Sequence, residues 1–346
     1  MKIFSSLLSA SLIALAFTSC SDHDADAPHR QDGSIAFNAS APLRAVTTTN
    51  TLKDFKVWAF ADSKPYMSDV TVNKQDGNWT YSPVQYWPAN TELNFYSYSP
   101  AISTTTASDD TNPDIPDFVN GGRTDLLYAV NIGEKRTGAS AAPVQINFRH
   151  AMSQVRFRVR PRVAAAGEQA IAVRVHALDL LGTNSVGSFN FPTSTTAIGN
   201  DVAGKWTNAH TVADAGIFSG SEMLSTDTPV ELLSTGYVFA IPQTLGRSTV
   251  DGSNYSGAYA RVLCEIFDRS TGVKLWPADA DADASGAAYV YFPLNDLSTN
   301  AAHASWEPGK AYRYTLNVAM PANSNKIDFD VTVEEFPDFI DVETGN

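Results

Sequence analysis

Along much of the chain, apolar and polar residues alternate one by one. Val144, Ile146 and Phe148 interleave with Gln145, Asn147 and Arg149. Val155, Phe157 and Val159 interleave with Arg156, Arg158 and Arg160, and Tyr312, Tyr314, Leu316 and Val318 with Arg313, Thr315 and Asn317. Ile327, Phe329, Val331 and Val333 interleave with Asp328, Asp330, Thr332 and Glu334. Successive side chains of a strand point to opposite faces, so a period of two predicts half-buried β-strands. Shorter strands are predicted near 55–60, 70–72, 93–98, 173–178, 236–241 and 288–292. Turn clusters separate them, among them Gln75-Asp76-Gly77-Asn78, Asn120-Gly121-Gly122, Asp251-Gly252-Ser253-Asn254 and Glu307-Pro308-Gly309-Lys310. No segment carries an apolar stripe at helical spacing over three turns. Short strands with one apolar face bury it by packing sheet on sheet, which predicts an all-β sandwich fold. No repeat of fixed period is present, which disfavours a solenoid or propeller.

The chain has 346 residues, a length that fits two domains at about 150 residues each. The stretch 133–143, GEKRTGASAAP, is small, polar and punctuated by Gly and Pro. It predicts a seam between two β-sandwiches at 34–142 and 143–346. Lys and Arg number 24 against 37 Asp and Glu, a formal charge of -13. Such acidity argues against a nucleic-acid partner, which needs a basic footprint, and against electrostatic docking on anionic lipid. Two cysteines exclude a disulfide framework.

The first residues read as an address. Lys2 precedes an apolar run at 7–17, too short to span a bilayer and suited to a signal peptide. The run ends in Phe17-Thr18-Ser19-Cys20, which resembles a bacterial lipobox, with Phe17 where Leu is usual. On that reading residues 1–19 are removed, Cys20 is acylated and 20–33 form a tether from the outer membrane. A plain secretory signal with an incidental cysteine is the alternative. Acyl chains contribute about 0.8 kcal/mol per buried methylene, so several give a durable anchor without a membrane helix. The acidic stretch Ser21-Asp22-His23-Asp24-Ala25-Asp26 resembles surface-export signals of Gram-negative anaerobes, or is a solvated tether. Cys264 alternates with Val262 and Ile266 and is expected to be a buried structural thiol.

Catalytic signatures are absent: no G-x-S-x-G, H-E-x-x-H, phosphate loop, dinucleotide fingerprint or C-x-x-C. The six histidines are scattered without metal-ligand spacing. The chain is therefore expected to be no enzyme and to use no cofactor, although its many carboxylates leave a glycosidase pair open. Three constellations remain. Asp279, Asp281 and Asp283 alternate in a loop that could converge on Ca²⁺, but Val290 stands where a closing acid belongs, so a solvated loop is favoured. Arg156, Arg158, Arg160 and Arg162 share one strand face and are expected to pair with acids on neighbouring strands rather than bind phosphate or acidic glycan. Trp79, Tyr81, Tyr86, Trp87, Phe95, Tyr96 and Tyr98 are expected to fill a core rather than form a sugar platform.

A set of short motifs then runs in order along nearly the whole chain. These are Asp54-Phe-Lys-Val-Trp-Ala59, Tyr66-Met67, Asn78-Trp79-Thr80-Tyr81-Ser-Pro83, Gln85-Tyr86-Trp87-Pro88 and Leu93-Asn-Phe-Tyr-Ser-Tyr-Ser-Pro100. Thr124-Asp125-Leu126-Leu127-Tyr128-Ala129, Phe148-Arg149-His150-Ala-Met-Ser-Gln154, Ile241-Pro242-Gln243 and Trp306-Glu-Pro-Gly-Lys310-Ala-Tyr312-Arg-Tyr314 follow. In this order and spacing they resemble the fimbrillin family of surface lipoproteins. Most of these residues are core and turn formers; His150 alternates with Phe148 and Met152 and reads as a structural imidazole. A family marked in this way is a scaffold rather than an enzyme.

The resemblance implies two transthyretin-like Greek-key β-sandwich domains in tandem, at the outer membrane and in a fimbrium. It implies export as a lipoprotein, a cut after an arginine near the N-terminus, loss of the first strand, and filling of the open groove by a strand from the next subunit. Arg44-Ala45 matches the cut, and Ile35, Phe37 and Ala39 form one face of the removable strand. The donor expected from the resemblance is the segment 326–346. Within it, Ile327 to Val333 read more readily as the last strand of their own domain, while the role of Phe336, Phe339 and Ile340 stays open. Phe336 stands where stalk subunits often have Trp. The implied partners are other fimbrial subunits, with host or bacterial surface glycan or protein as adhesion ligand. The alternative is a monomeric surface lipoprotein that binds glycan or a host ligand without polymerising.

Overall fold

The computed structural model describes residues 33–41, 51–102, 113–137, 141–197, 202–234, 236–247, 249–251, 254–295, 304–320 and 329–335. The regular structure of the described residues is almost entirely strand; the one helical piece is a 3-10 turn at Asp279–Asp281.

The first half holds β1 (Phe37–Ser40), β2 (Asp54–Ala61), β3 (Lys64–Gln75), β4 (Asn78–Thr80), β5 (Leu93–Ser99), β6 (Asp114–Val119), β7 (Leu127–Glu134), β8 (Val144–Asn147) and β9 (Arg149–His150). Six of these form one sheet in the order β4-β3-β2-β5-β7-β9. The β3–β4 hairpin turns on Asp76 (φ 49°) and Gly77 (φ 83°), the pair of left-handed residues that a two-residue hairpin needs. One face of the sheet offers Phe55, Val57, Leu93, Phe95, Leu127 and Ala129 to a core completed by β1 and β8. The other face offers Trp58, Phe60, Tyr96, Tyr98, Tyr128 and Val130 to a second core. Burial on both faces explains why β2, β5 and β7 read as continuous apolar runs (DFKVWAFA, LNFYSYS) instead of alternating.

The second half contains β10 (Ser153–Pro161), β11 (Ile171–Leu181), β12 (Val186–Asn190), β13 (Lys205–His210) and β14 (Ala215–Leu224). Short strands follow: β15 (Val230–Glu231), β16 (Val238–Ala240), β17 (Gln243–Thr244), β18 (Thr249–Asp251) and β19 (Asn254–Ser256). The chain continues through β20 (Tyr259–Asp268), β21 (Lys274–Trp276), β22 (Ala288–Pro293), β23 (Ser305–Trp306), β24 (Lys310–Val318) and β25 (Phe329–Glu335). One sheet runs β15-β10-β24-β25 with β16 also on β10; the facing sheet runs β14-β11-β20-β21 with β22 also on β20. Between them Val155, Phe157, Val173, Val175, Val262, Cys264, Phe292 and Tyr314 pack a third core. The rings of Phe157 and Tyr314 stack at 5.4 Å.

β8 pairs with β1 and its Val144 and Ile146 fill the first core, while β9 pairs with β7. Residues 143–150 therefore belong with the first half, because alternating apolar side chains bind a strand to a core more strongly than a Gly-rich stretch divides it. The halves are also interleaved. The β12–β13 hairpin of the second half pairs with β6 of the first. It lays Phe189 and Trp206 on the outer face of the six-stranded sheet, and Phe191 just beyond it does the same. Trp206 Nε1 donates to the Ala151 carbonyl at 2.7 Å.

Candidate functional site

β1 is the element that the sequence singles out, and it lies inside the first core. Its backbone pairs in parallel with β8, Phe37 opposite Val144 and Ser40 opposite Asn147. Ile35, Phe37, Ala39 and Ala41 all point inward and are buried, at 2%, 4%, 4% and 7% exposure. Phe37 is the hub: its ring meets Phe55 at 5.8 Å, Phe95 at 5.8 Å and Tyr81 at 5.5 Å. The outward side chains bind β8 too, Asn38 Nδ2 donating to Gln145 Oε1 at 2.9 Å and Ser40 Oγ to Asn147 Oδ1 at 3.1 Å.

The start of the strand is clamped on its second edge. Ile35 N donates to the Gln85 carbonyl at 2.8 Å, and Trp87 N to the Gly33 carbonyl at 2.9 Å. Tyr81 Oη donates to the Ile35 carbonyl at 2.9 Å and accepts from Gln85 N at 3.2 Å. Burial raises the Tyr81 phenol above its ordinary pKa, partly offset by the bond to Gln85, so the hydroxyl stays protonated and able to donate. Tyr66 Oη holds the same segment through the Tyr86 carbonyl. β8 is held on its far side by side chains. Asn131 Nδ2 donates to the Gln145 carbonyl at 3.0 Å, and Thr196 Oγ1 to the Asn147 carbonyl at 3.1 Å.

Sequence reasoning picked out Ile35, Phe37 and Ala39 but missed the clamp. Tyr81, Gln85 and Trp87 belong to the Trp/Tyr/Pro-rich block, and the signal was Tyr86-Trp87-Pro88, where proline stops regular pairing. Of the aromatic block, Phe95, Tyr96 and Tyr98 are buried, Trp79 and Tyr81 partly so, and Tyr86 is exposed at 43%. Cys20, Arg44, Ala45, Phe336, Phe339 and Ile340 lie outside the described residues. Phe329 to Glu335 pair antiparallel with β24, as the last strand of their own sheet.

The remaining candidates have structural roles. Asp279 and Asp281 form the 3-10 turn, and Asp283 Oδ1 accepts from Ser285 Oγ, Ser285 N and Ala287 N. The three carboxylates do not gather, and no group of three metal-ligating side chains occurs among the described residues; a carboxylate spent on closing its own loop is not offered to an ion. In the arginine row, Arg158 pairs with Glu231 at 3.0 Å and Arg162 with Glu168 at 2.7 Å. Arg160 donates to Asn317 at 2.6 Å and Arg156 to Gln154 at 3.0 Å. His150 Nδ1 lies 2.9 Å from Asp125 Oδ1 with both side chains buried, which joins two of the sequence motifs across the β7–β9 pair. Cys264 is buried, and burial with the nearby Glu265 pushes its thiol far above the ordinary range. A pocket of about 280 Å³ is lined by Asp54, Ser99, Arg123, Thr124, Asp125 and Phe239; Ser99 Oγ donates to the Asp54 carbonyl at 2.8 Å and Asp125 is engaged with His150.

A strand buried in the first core and two interleaved halves define an all-β protein. The sequence matches the fimbrillin-like family over residues 44–335. Among solved structures, a fimbrial protein from Bacteroides vulgatus superposes with a TM-score of 0.60 at 15% identity, covering 88% of this chain and 100% of that one. The tip fimbrial protein Mfa3 from Porphyromonas gingivalis, truncated at its C-terminus, gives 0.44 at 9% identity, covering 88% and 100%. A fimbrilin from Porphyromonas gingivalis gives 0.44 at 12%, covering 87% and 96%. No match is found among curated proteins. The chain belongs to the fimbrillin-like family, and it shares its fold with the Bacteroides vulgatus fimbrial protein.

Proposed function

We propose that this protein is a structural subunit of surface fimbriae that supports adhesion, exported as an outer-membrane lipoprotein through Cys20. Proteolysis between Arg44 and Ala45 separates β1 from the rest of the chain. The C-terminal segment of a neighbouring subunit then replaces it. The observation that carries this reading is β1 with the residues that flank it, a stretch that supplies the four alternate side chains of Ile35, Phe37, Ala39 and Ala41 to the core. A second pattern supports it. Ile35-x-Phe37-x-Ala39-x-Ala41 is echoed by Ile327-x-Phe329-x-Val331-x-Val333, the same two leading residues followed by small or β-branched ones. Strand addition takes affinity from main-chain hydrogen bonds and specificity from alternate side chains, so such an echo is what a donor requires. Two parts of the tail are available: β25, which has to leave β24, and Phe336 to Ile340 beyond it.

N-terminal sequencing of isolated surface filaments tests the processing step. A chain that begins at Ala45 supports it, and an acylated Cys20 on filament protein overturns it. Oligomers that resist heat and SDS are expected from cleaved protein and are lost when 327–346 are deleted. Deleting only 336–346 tells which part of the tail donates. If cleaved protein stays monomeric with β1 still docked, the monomeric glycan- or host-ligand-binding lipoprotein takes the place of this reading.

A further inference from the structure

The pocket of about 280 Å³ lies where the two halves meet. Three of the ordered motifs begin or end at it: Asp54 opens β2, Ser99 and Pro100 close β5, and Thr124 and Asp125 lead into β7. Phe239 of β16 is the wall from the second half. Its N–H donates to the Gly122 carbonyl and its carbonyl accepts from Asn120 Nδ2, both at 2.9 Å. Four charged side chains line the pocket, Lys53 and Arg123 against Asp54 and Asp125, so their formal charges cancel. Among the described residues no ion pair joins any two of the four, and Lys53 and Arg123 are exposed. Asp54 Oδ1 accepts from Ala101 N at 2.7 Å. Asp125 is 5% exposed; its Oδ1 is held by His150 at 2.9 Å, and its Oδ2 is buried with no hydrogen-bond partner. A buried carboxylate oxygen without a donor is both costly and rare.

The geometry points to a binding site for one neutral sugar unit, the terminal residue of a glycan. An anion meets two carboxylates here, and a cation meets Lys53 and Arg123. A zwitterion carries one charge of each sign and leaves the second cation and the second carboxylate without a partner. Each hydroxyl of a sugar both donates and accepts, so one ring serves all four charged groups and the Thr124 hydroxyl together. Lys53 and Arg123 donate from the exposed side, and Asp54 accepts. A small turn of Asp125 about its bond to His150 brings Oδ2 to a hydroxyl at the buried end. His150 is a positioning residue in this site. Leu52, Pro100 and Phe239 supply apolar surface for the C–H face of the ring. At about 280 Å³ the pocket stands near the lower limit of ligand sites, about 300 Å³, which suits a single ring rather than a chain. The inference rests on the adhesion part of the proposed function, to which it gives a ligand class, and not on strand exchange.

The test is saturation-transfer NMR on the uncleaved full chain, with glucose, galactose, mannose, fucose and N-acetylglucosamine as probes and glycine and serine as zwitterionic comparisons. At least one sugar is expected to bind, and on an array of neutral glycans the signal is expected on those that end in it. Arg123→Ala and Asp54→Asn are each expected to weaken binding at least about tenfold, the effect of one hydrogen bond to a charged group. Arg123 is exposed, and Asp54→Asn keeps an oxygen for Ala101 N, so both variants are expected to keep the parent's unfolding midpoint. Arg158→Ala, which removes the pair with Glu231 outside the pocket, is the control and leaves binding unchanged. The inference is overturned if no sugar binds, if both pocket variants bind as the parent does, or if glycine or serine binds in preference to every sugar. Sugar binding by a chain that never forms oligomers keeps the pocket and drops strand exchange. SDS-resistant oligomers from a chain that binds no sugar do the reverse.

Discussion

Replacing Phe37 by alanine separates a strand that merely covers a core from one that builds it. Phe37 is 4% exposed and touches Phe55, Tyr81 and Phe95. Burying a side chain such as Ile35 or Phe37 is worth about 1.5–3 kcal/mol, and each alanine methyl at most about 0.8 kcal/mol, so Phe37 and Ile35 do most to seat β1. Removing the ring also leaves a cavity that the rings around it cannot close, which brings the expected loss to about 3–5 kcal/mol. Against a typical stability of about 5–15 kcal/mol this is a large fraction. Urea unfolding followed by tryptophan fluorescence reads it as a lower midpoint at constant slope. Asn38→Ala, on the exposed face of the same strand, serves as the control and is expected to stay within about 0.5 kcal/mol. A Phe37→Ala loss below about 1 kcal/mol refutes the argument, because it means the first core is complete without β1.

Two further outcomes follow from the second half. In a chain whose Cys20 is replaced by Ser, Cys264 is expected to resist thiol reagents at pH 8 and to react fully only in denaturant; labelling of native protein at the rate of a free thiol contradicts its burial. Burial alone would raise the Glu265 pKa, but hydrogen bonds from His176 and Arg174 outweigh it and hold the carboxyl below its ordinary 4.5. A depressed folded-state pKa stabilises fully above 4.5 and loses that stabilisation as pH falls through the lower value. Glu265→Gln is therefore expected to flatten the acid side of the stability curve below pH 4.5. An unchanged acid limb measured by thermal unfolding rejects this assignment.

The strands that bury one face are legible from alternation alone: β8, β10 and β24 announce themselves in the sequence. β2, β5 and β7 are legible as strands but not as a middle layer, because a strand buried on both faces has no period to read. The cover for their second face comes from β12 and β13, whose sequences VGSFN and KWTNAH show little alternation and lie far along the chain. The second core and the interleaving of the halves are therefore invisible in the sequence. At the site, the apolar face of β1 is readable from Ile35, Phe37 and Ala39. The clamp is not, because two of its three bonds come from backbone groups of an irregular segment, and backbone bonds leave no mark on residue type.

The β12–β13 hairpin has a consequence for a molecule under tension. A force that draws the two halves apart has to strip Phe189 and Trp206 from the far side of the six-stranded sheet and shear β12 from β6 before either half moves away. In a polymer of the kind proposed above, each subunit would extend as one stiff link, and compliance would be left to the joints between them.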